Sequence, residues 1–267
     1  MPAIALCADD YAQHEGIDDA VCKLLAAHRI SAVSCMSTAP RWKAYAAPRL
    51  REQLMGDPCA DTGLHLNLTE FFGRQASLPR LIARAYTRTL DKAALKADMA
   101  RQFDAFEAGM RRQPHFVDGH QHVHQFPQVR SVLIEMLEQR YTRYRPWVRS
   151  TVPLAGLDGI KPAVLKWLGG AAMTRRLHKR GFRCNAGFGG VYGFDTDNYA
   201  GQFQQWINLA GEASLLMCHP ASSESPNDPI SAQRLVEFAF LRSDACGAML
   251  AARNIRIVRM SSLLPPT

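Results

Sequence analysis

The sequence contains no long apolar run, no C-x-x-C pair and no Gly/Ser-rich linker. No stretch approaches the ~20 apolar residues of a membrane helix, so we expect no transmembrane segment. The first ten residues, MPAIALCADD, lack the basic lead and long apolar core of a secretory signal peptide. The seven cysteines lie far apart, which favours reduced thiols in the cytoplasm. We therefore expect a cytoplasmic protein with one domain over residues 1–267.

Positive charge is in excess, but it is not gathered into a dense stripe. The formal net charge is +8, and the basic residues are spread along the chain. We interpret the densest group, residues 175–183, as a solvated helix end. No nucleic-acid partner is expected, because such binders concentrate their charge on one face. A basic surface instead favours an anionic substrate or a membrane surface.

Short apolar segments alternate with longer amphipathic ones along the whole chain. We predict strands at residues 3–8, 31–36, 62–68, 115–120, 147–152, 182–186, 214–218 and 255–260. We predict helices at residues 16–28, 90–109, 129–140, 162–179, 196–210 and 231–252. Such alternation predicts parallel strands, either in a (β/α) barrel or in an open doubly wound sheet.

Polar, reactive residues stand where the predicted strands stop. Five strands contribute them, with the members Asp9, Asp10, His65, Asp118, His120, Arg149 and His219. In a barrel, the carboxyl ends of all strands converge on one mouth, whereas an open sheet draws its site mainly from two or three strands. We therefore favour an α/β fold of the (β/α)-barrel type, irregular or with seven strands.

The segment VDGHQHVHQFP places His120, His122 and His124 at alternate positions after Asp118. In a continuous strand, all three imidazoles would share one face, and a cation would order them best. If the strand instead ends near Gly119, His120 points into the mouth as a ligand, and the other two lie on the following turn, where they support the ligands or face the substrate. We favour this second arrangement, with Asp118 orienting a ligand imidazole. A polar loop without a ligand is the alternative.

The other candidates have ordinary structural explanations when taken singly. Adjacent carboxylates such as Asp9 and Asp10 are costly to bury without a cation, but aspartates also cap helices. His65 lies in the alternating run GLHLNLTE, and Asn67 shares its face and could contact the same ligand or fix the imidazole. His219 precedes a proline, which suits a positioned histidine or a simple turn.

Together, these residues are the components of metal-assisted hydrolysis. One carboxylate and two imidazoles can bind a divalent ion and leave positions for water and substrate. A second carboxylate can take the proton of the water, and a further histidine can protonate the leaving group. Two imidazoles favour zinc, cobalt or iron over magnesium. Non-haem iron oxygenases use the same ligand set, but the helices of this chain argue against their jelly-roll fold.

Four motifs resemble the YdjC-like (ChbG/HpnK) carbohydrate deacetylase family: ADDY at 8–11, HLNLT at 65–69, VDGHQHVHQFP at 117–127 and CHP at 218–220. The resemblance spans nearly the whole chain. It implies a (β/α)-barrel-like fold and a divalent-metal-dependent amidase that removes acetyl groups from N-acetylated sugars. It also implies an N-acetylated carbohydrate or glycolipid as substrate, magnesium as the usually assigned ion, and a possible homodimer.

The resemblance also implies a role for each matching residue. His65 and His120 correspond to the metal-binding histidines of the family, and Asp10 to the third ligand. Asp9 would be the general base, and His219 the general acid.

Further residues are expected to contact the substrate or support the ligands, namely Asn67, Asp118, His122, His124 and Arg149. Aromatic residues in predicted loops could stack on sugar rings or simply pack: Trp42, Phe71, Phe72, Phe126, Tyr192 and Phe194. Many relatives have glycine after ADDF or ADDY. Here Ala12 stands in its place, which would alter the turn after Asp10.

Two rival functions remain open. A metal-dependent phosphoesterase would suit the positive charge, but such sites usually hold two metals about 4 Å apart with more bridging carboxylates. A non-catalytic sugar- or metal-binding barrel would bind ligand without releasing acetate.

Overall fold

The computed structural model describes residues 2–70 and 77–265, and its central element is a parallel sheet. The strands are β1 (Ala3–Tyr11), β2 (Ala32–Cys35), β3 (Asp61–Leu66), β4 (Phe116–Gly119), β5 (Trp147–Val148), β6 (Gly187–Gly189), β7 (Ser214–Cys218) and β8 (Arg256–Ile257). Seven of them follow the order β5-β4-β3-β2-β1-β7-β6, and β8 pairs with β1 beside this path. All pairs are parallel.

The two ends of this path approach each other after β5. Pro153 forms a parallel bridge with Phe188 of β6, and the Leu154 amide donates to the Phe188 carbonyl. The seven-stranded sheet therefore curves into a partial barrel, which confirms the predicted fold class. The strands on this path are buried at every position, as expected for parallel strands covered on both faces.

Helices connect the strands, in keeping with the predicted alternation. They are α1 (Glu15–Ala26), α2 (Ala47–Met55), α3 (Leu78–Tyr86), α4 (Lys92–Met110), α5 (Pro127–Arg140), α6 (Ile160–Leu165), α7 (Ala171–Lys179), α8 (Tyr199–Leu209), α9 (Ser231–Arg242), α10 (Asp244–Ala252) and α11 (Met260–Leu263). Trp42–Ala46 and Lys166–Gly170 are π-helical, and His120–Gln125 is a 3-10 segment. None of the described helices is long and apolar enough to cross a membrane.

The predicted strand at 182–186 is wrong, because the sixth strand lies just after it. β6 consists of Gly187, Phe188 and Gly189, and glycine ordinarily weakens a strand. The glycines are needed for close packing, since a Cβ at Gly189 would lie 2.5 Å from a Leu216 methyl carbon. In the preceding segment, Asn185 instead bonds the backbone of Ser150 and Gly187.

Two of the predicted helices are interrupted, and three helices of the described chain were not predicted. The predicted helix at 162–179 is broken at Gly169, whose φ of 120° lies outside the helical region. The predicted helix at 231–252 divides at Ser243, whose hydroxyl accepts from the Cys246 amide and begins a new helix. The unpredicted helices are α2, α3 and the short α11. Proline stands in the first turn of both α2 and α3.

Candidate metal centre

A bulge at the end of β1 brings two adjacent carboxylates to the same site. The pairing of β1 with β2 shifts register between Ala8 and Tyr11, and Asp10 has a φ of 64°. In a regular strand, consecutive side chains point to opposite faces. The bulge breaks this alternation, so that Asp9 and Asp10 both line the same cavity.

Three donor atoms converge beside this bulge. Asp10 Oδ1 lies 3.2 Å from His65 Nε2 and 2.9 Å from His120 Nδ1. All three atoms lie within 4.8 Å of one another, and all three residues are buried. His65 comes from β3, and His120 follows β4 directly. The structure thus brings together the three residues that the sequence suggested as ligands.

Each of these three residues also contacts a charged side chain outside the cluster. The pairs are His65 Nδ1 with Asp118 Oδ1 at 2.7 Å, Asp10 Oδ2 with Arg234 Nη2 at 2.7 Å, and His120 Nε2 with Glu70 Oε1 at 3.2 Å. Such outer contacts fix imidazole orientation at metal sites. The remaining atoms face one another, and one carboxylate oxygen with two imidazole nitrogens is a donor set that fits a divalent transition-metal ion.

The cluster attracts positive charge. Burial alone would lower the pKa of both imidazoles, but neighbouring carboxylates reverse that effect. Asp118, Asp10 and Asp9 raise the pKa of His65 to about 10. Asp10 and Glu70 raise that of His120 to about 9. A cation among the three donors would supply this charge and leave both imidazoles in their neutral, ligating form.

Arg149 is fully buried and joins two carboxylates. Its Nη1 and Nη2 donate to the two oxygens of Asp9, each at 2.6 Å, and Nη2 forms an ion pair with Asp118 Oδ2 at 2.5 Å. Burial opposes ionisation of Asp9, but this guanidinium holds the pKa of Asp9 well below its usual range. Cys7, Asp9 and Asp118 form a second group with metal-like spacing, but Arg149 already contacts all three.

His219 directly follows β7 and lies close to Asp9. Its Nε2 is 4.0 Å from Asp9 Oδ2, and its ring meets Phe194 edge-on. The backbone amide of His219 donates to Glu237 Oε2 at 2.6 Å, which anchors the turn. Burial lowers the pKa of the His219 imidazole to about 4, so the ring is neutral at neutral pH.

His122 and His124 lie on the turn after β4, but their environments differ. The φ values of Gln121 and His122 are 51° and 57°, so the strand does not continue through the three histidines. His122 lines the cavity, and burial lowers its pKa well below its usual value. His124 is fully buried, and its Nε2 donates to the Arg149 carbonyl at 3.1 Å. His124 therefore supports Arg149 and does not line the cavity.

The side chain of Asn67 forms its hydrogen bonds with the following turn and not with His65. Its Oδ1 accepts from the amides of Thr69 and Glu70, each at 3.0 Å, and its Nδ2 donates to the Glu70 carbonyl at 2.8 Å. Asn67 thus shapes the turn that carries Glu70, which in turn contacts His120.

A cavity of about 890 Å³ opens above these residues. Of the proposed aromatic set, Phe194 lines this cavity. Trp42 and Phe126 are buried in the core, and Tyr192 is buried with its hydroxyl on Glu237. The stacking interpretation is therefore wrong for these three, because their rings are packed inside the protein. Phe71 and Phe72 lie outside the described residues.

Sequence reasoning missed three charged residues around the cluster. Arg234 and Glu237 come from α9 and are nearly completely buried. Arg234 donates to the Asp10 carboxylate, and Glu237 accepts from the backbone amide of His219. Burial raises the pKa of Glu237 to about 7. Nothing in the sequence marks these positions, because they depend on how α9 packs. Glu70, in contrast, ends the conspicuous run GLHLNLTE and could have been included.

Comparison with known sequences gives a consistent result. The family described as "YdjC-like protein" matches residues 3–252. The chain is also 27% identical over 218 residues to the chitooligosaccharide deacetylase of Yersinia pestis (strain Pestoides F), covering 75% of this chain and 77% of that protein. The chitooligosaccharide deacetylase of Yersinia pseudotuberculosis (serotype O:3, strain YPIII) gives the same values.

Comparison with solved structures supports the fold. A putative cellobiose-phosphate cleavage protein from Enterococcus faecalis V583 superimposes with a TM-score of 0.71 at 15% identity, covering 99% of both chains. A family 4 acetyl xylan esterase from Clostridium thermocellum, solved with a cobalt ion, gives a TM-score of 0.50 at 11% identity, covering 98% of this chain and 89% of that one.

Proposed function

Because this chain belongs to the YdjC-like family, we propose that it is a carbohydrate N-deacetylase. It hydrolyses the acetamide of an N-acetylated sugar or of a conjugate that contains one. The observation that carries the proposal is the convergence of Asp10, His65 and His120 at the floor of a large cavity, beside Asp9 and His219. The curated relatives named as chitooligosaccharide deacetylases support the same chemistry.

Asp10, His65 and His120 would hold one divalent ion. Their two imidazoles favour zinc or cobalt, whereas magnesium prefers oxygen ligands. When bound, such an ion polarises an amide carbonyl and lowers the pKa of a water molecule. Asp118, Glu70 and Arg234 contribute by fixing the directions of the three ligands.

Asp9 is the general base in this proposal. Its two oxygens are held by Arg149, which keeps the carboxylate ionised and pointed into the cavity. An ionised carboxylate can accept a proton from the attacking water. Arg149 is then a positioning residue, because it reaches the reaction through Asp9.

His219 is the general acid. A neutral imidazole must gain a proton before it can protonate the departing amine. Asp9 lies 4.0 Å from His219 Nε2, so the proton that Asp9 takes from water can be passed to His219 and then to the sugar nitrogen. The pair would thus move one proton from the water to the leaving group.

The direct test measures acetate release from N-acetylglucosamine oligomers by the purified protein. Protein stripped with a chelator is compared with the same protein after addition of zinc, cobalt or magnesium. We expect no release from the stripped protein, and recovery with zinc or cobalt. Acetate release that is unaffected by stripping would contradict the metal-dependent scheme.

The same preparation separates the rival functions. Among the described residues, no second ligand group with room for an ion adjoins the cluster, because Arg149 fills the one beside it. This argues against a two-metal phosphoesterase. Hydrolysis of a phosphate monoester without acetate release would favour that alternative. Sugar binding without turnover under any of the three metals would favour a non-catalytic barrel.

A further inference from the structure

One surface segment exposes several large apolar side chains. Among the described residues, eight large hydrophobic side chains are exposed, and three lie in residues 160–170, which we call the rim segment. Ile160 is 83% exposed, Val164 47% and Trp167 81%. Their spacing of four and then three residues places them on one face of a helix. An apolar face of this kind on a soluble surface indicates a binding partner.

The rim segment also forms part of the cavity wall. Leu165 and Leu168, from the same helical stretch, line the cavity above the metal cluster. A groove of about 190 Å³ runs beside it, lined by these two leucines together with Ile160, Val164, Val191, His122 and Lys161. The exposed apolar face is therefore continuous with the entrance to the cavity.

Positive charge accompanies this apolar face. Residues 159–194 contain no Asp or Glu but seven basic residues, namely Lys161, Lys166, Arg175, Arg176, Lys179, Arg180 and Arg183. Within the described part of the chain, Lys166 and Arg175 form no ion pair with a carboxylate. The apolar face is thus flanked by cations that lack an opposite charge within the protein.

A further arginine joins this group at the end of the rim segment. A Cβ placed on Gly169 would lie 3.3 Å from Arg130 Nη1, so the guanidinium sits against the rim segment. Burial, together with the positive charges of Arg176, Arg175 and Arg88, lowers the pKa of Arg130. Like charges gathered in this way favour an anionic partner.

We propose that the rim segment binds the surface of an anionic lipid bilayer. Ile160, Val164 and Trp167 would enter the headgroup region, while Lys166 and Arg175 contact lipid phosphates. Apolar side chains on one face with cations beside them are typical of helices that lie in the membrane interface, and tryptophan is enriched at that depth. Arg175 then belongs to a binding surface, whereas the sequence suggested only a solvated helix end at residues 175–183.

A second copy of the chain is a less suitable occupant. A two-fold contact brings the same patch of both subunits together, so the cations around Lys166 and Arg175 would face their own equivalents. A bilayer rich in anionic lipid attracts them instead. Docking in this manner turns the cavity entrance toward the membrane, and it does not depend on the proposed deacetylase activity.

Trp167 provides a probe for the test. The other three tryptophans, Trp42, Trp147 and Trp206, are at most 2% exposed, so a change in emission on binding reports Trp167. The probe is a vesicle of phosphatidylglycerol and phosphatidylcholine in equal parts, with pure phosphatidylcholine vesicles for comparison. We expect a blue shift and co-sedimentation with the anionic vesicles alone, both weakened by added salt.

Paired variants separate the apolar and the charged contributions. Val164→Ser with Trp167→Ala should weaken vesicle binding about 10-fold or more, because the inserted apolar area is lost. Lys166→Gln with Arg175→Gln should weaken it about 25-fold, since each cation near an anionic surface contributes about 5-fold. Met55→Ser on α2 is the apolar control, because Met55 is 84% exposed, and Lys92→Gln on α4 is the charge control. Both controls should bind as the unchanged protein does, and all variants should keep its melting temperature.

Three results would overturn the proposal. The first is no binding of the unchanged protein to anionic vesicles, and the second is equal binding by the rim variants and the controls. The third is a fall in mass by light scattering in Trp167→Ala without any vesicle binding, which would assign the face to a second copy. Vesicle binding by a protein that releases no acetate would support the membrane surface and refute the deacetylase.

Discussion

The floor and the rim of the cavity differ in how their side chains are held. On the floor, Asp10, His65 and His120 are buried, come from strand ends, and have charged partners behind them. The rim segment is a short helical stretch broken at Gly169, and its apolar side chains face solvent. Strand pairing and charged partners hold the floor in place, whereas the apolar face of the rim is open to solvent. We therefore expect the chemistry to depend on the floor, and membrane binding to depend on the rim.

The largest effect is expected from removing a ligand at the floor. His120→Ala should lower acetate release about 1000-fold or more, because the ion supplies several kcal/mol of transition-state stabilisation. The change should be measured as kcat/KM on an N-acetylglucosamine oligomer, with metal content determined on the same sample. Met55→Ser, a change at an exposed position of α2 that does not line the cavity, should keep full activity. Equal kcat/KM values for His120→Ala and Met55→Ser would contradict the role of His120 as a metal ligand.

A slightly smaller effect, on stability, should follow from breaking the buried ion pairs. Arg149→Met leaves Asp9 and Asp118 buried without their cation, and we expect the free energy of unfolding to fall by about 3 kcal/mol. The control is Arg140→Met, whose partners Asp104 and Glu107 are partly exposed. That change should cost about 1 kcal/mol or less. Urea unfolding measures both values, and similar losses would refute the distinction between buried and surface pairs.

The outer contacts of the ligands allow a comparison within the floor itself. Asp118→Asn should weaken metal affinity about 10- to 100-fold, because Asp118 orients His65 in a fully buried setting. Glu70→Gln should weaken it less, since Glu70 is 33% exposed and solvent screens its charge. Competition with a chromogenic chelator measures both affinities. A larger loss of metal affinity in Glu70→Gln than in Asp118→Asn would mean that the more buried contact is not the more important one.

The smallest effect, a change in the free energy of unfolding, is expected in the turn that follows Asp10. Ala12 has a φ of 80°, which glycine adopts freely and alanine does not. Ala12→Gly should therefore raise the free energy of unfolding by up to about 1 kcal/mol, because the relief of strain exceeds the entropy that glycine loses. The same change at Ala97, exposed within α4, should lower it by about 1 kcal/mol. Loss of stability in both variants, measured by urea unfolding, would contradict strain at Ala12.

The sequence indicates the floor because its residues follow strands with clear periodicity. Asp10, His65 and His120 stand at the ends of apolar segments, and parallel strands bring such ends together. The bulge that turns Asp9 and Asp10 to one side has no comparable signal, since it depends on the local pairing with β2. Arg234 reaches Asp10 from α9, and only the packing of that helix could place it.

Other differences between the predictions and the structure likewise arise from packing and turn geometry, which residue spacing does not show. β6 was not recognised because its glycines suit close packing against Leu154 and Leu216, and not strand formation as such. His124 is in the histidine motif and yet supports the Arg149 carbonyl, because the chain turns sharply at Gln121. Spacing in a motif indicates which residue types are near each other, but the turn decides which of them face the cavity.

The central claim is that one divalent ion is held by three named atoms, and anomalous diffraction tests it most directly. Crystals soaked with zinc or cobalt would be measured on both sides of the absorption edge of that metal. We predict one strong anomalous peak between Asp10 Oδ1, His65 Nε2 and His120 Nδ1. A peak elsewhere, or none at this position in crystals that hold the soaked metal, would contradict the account.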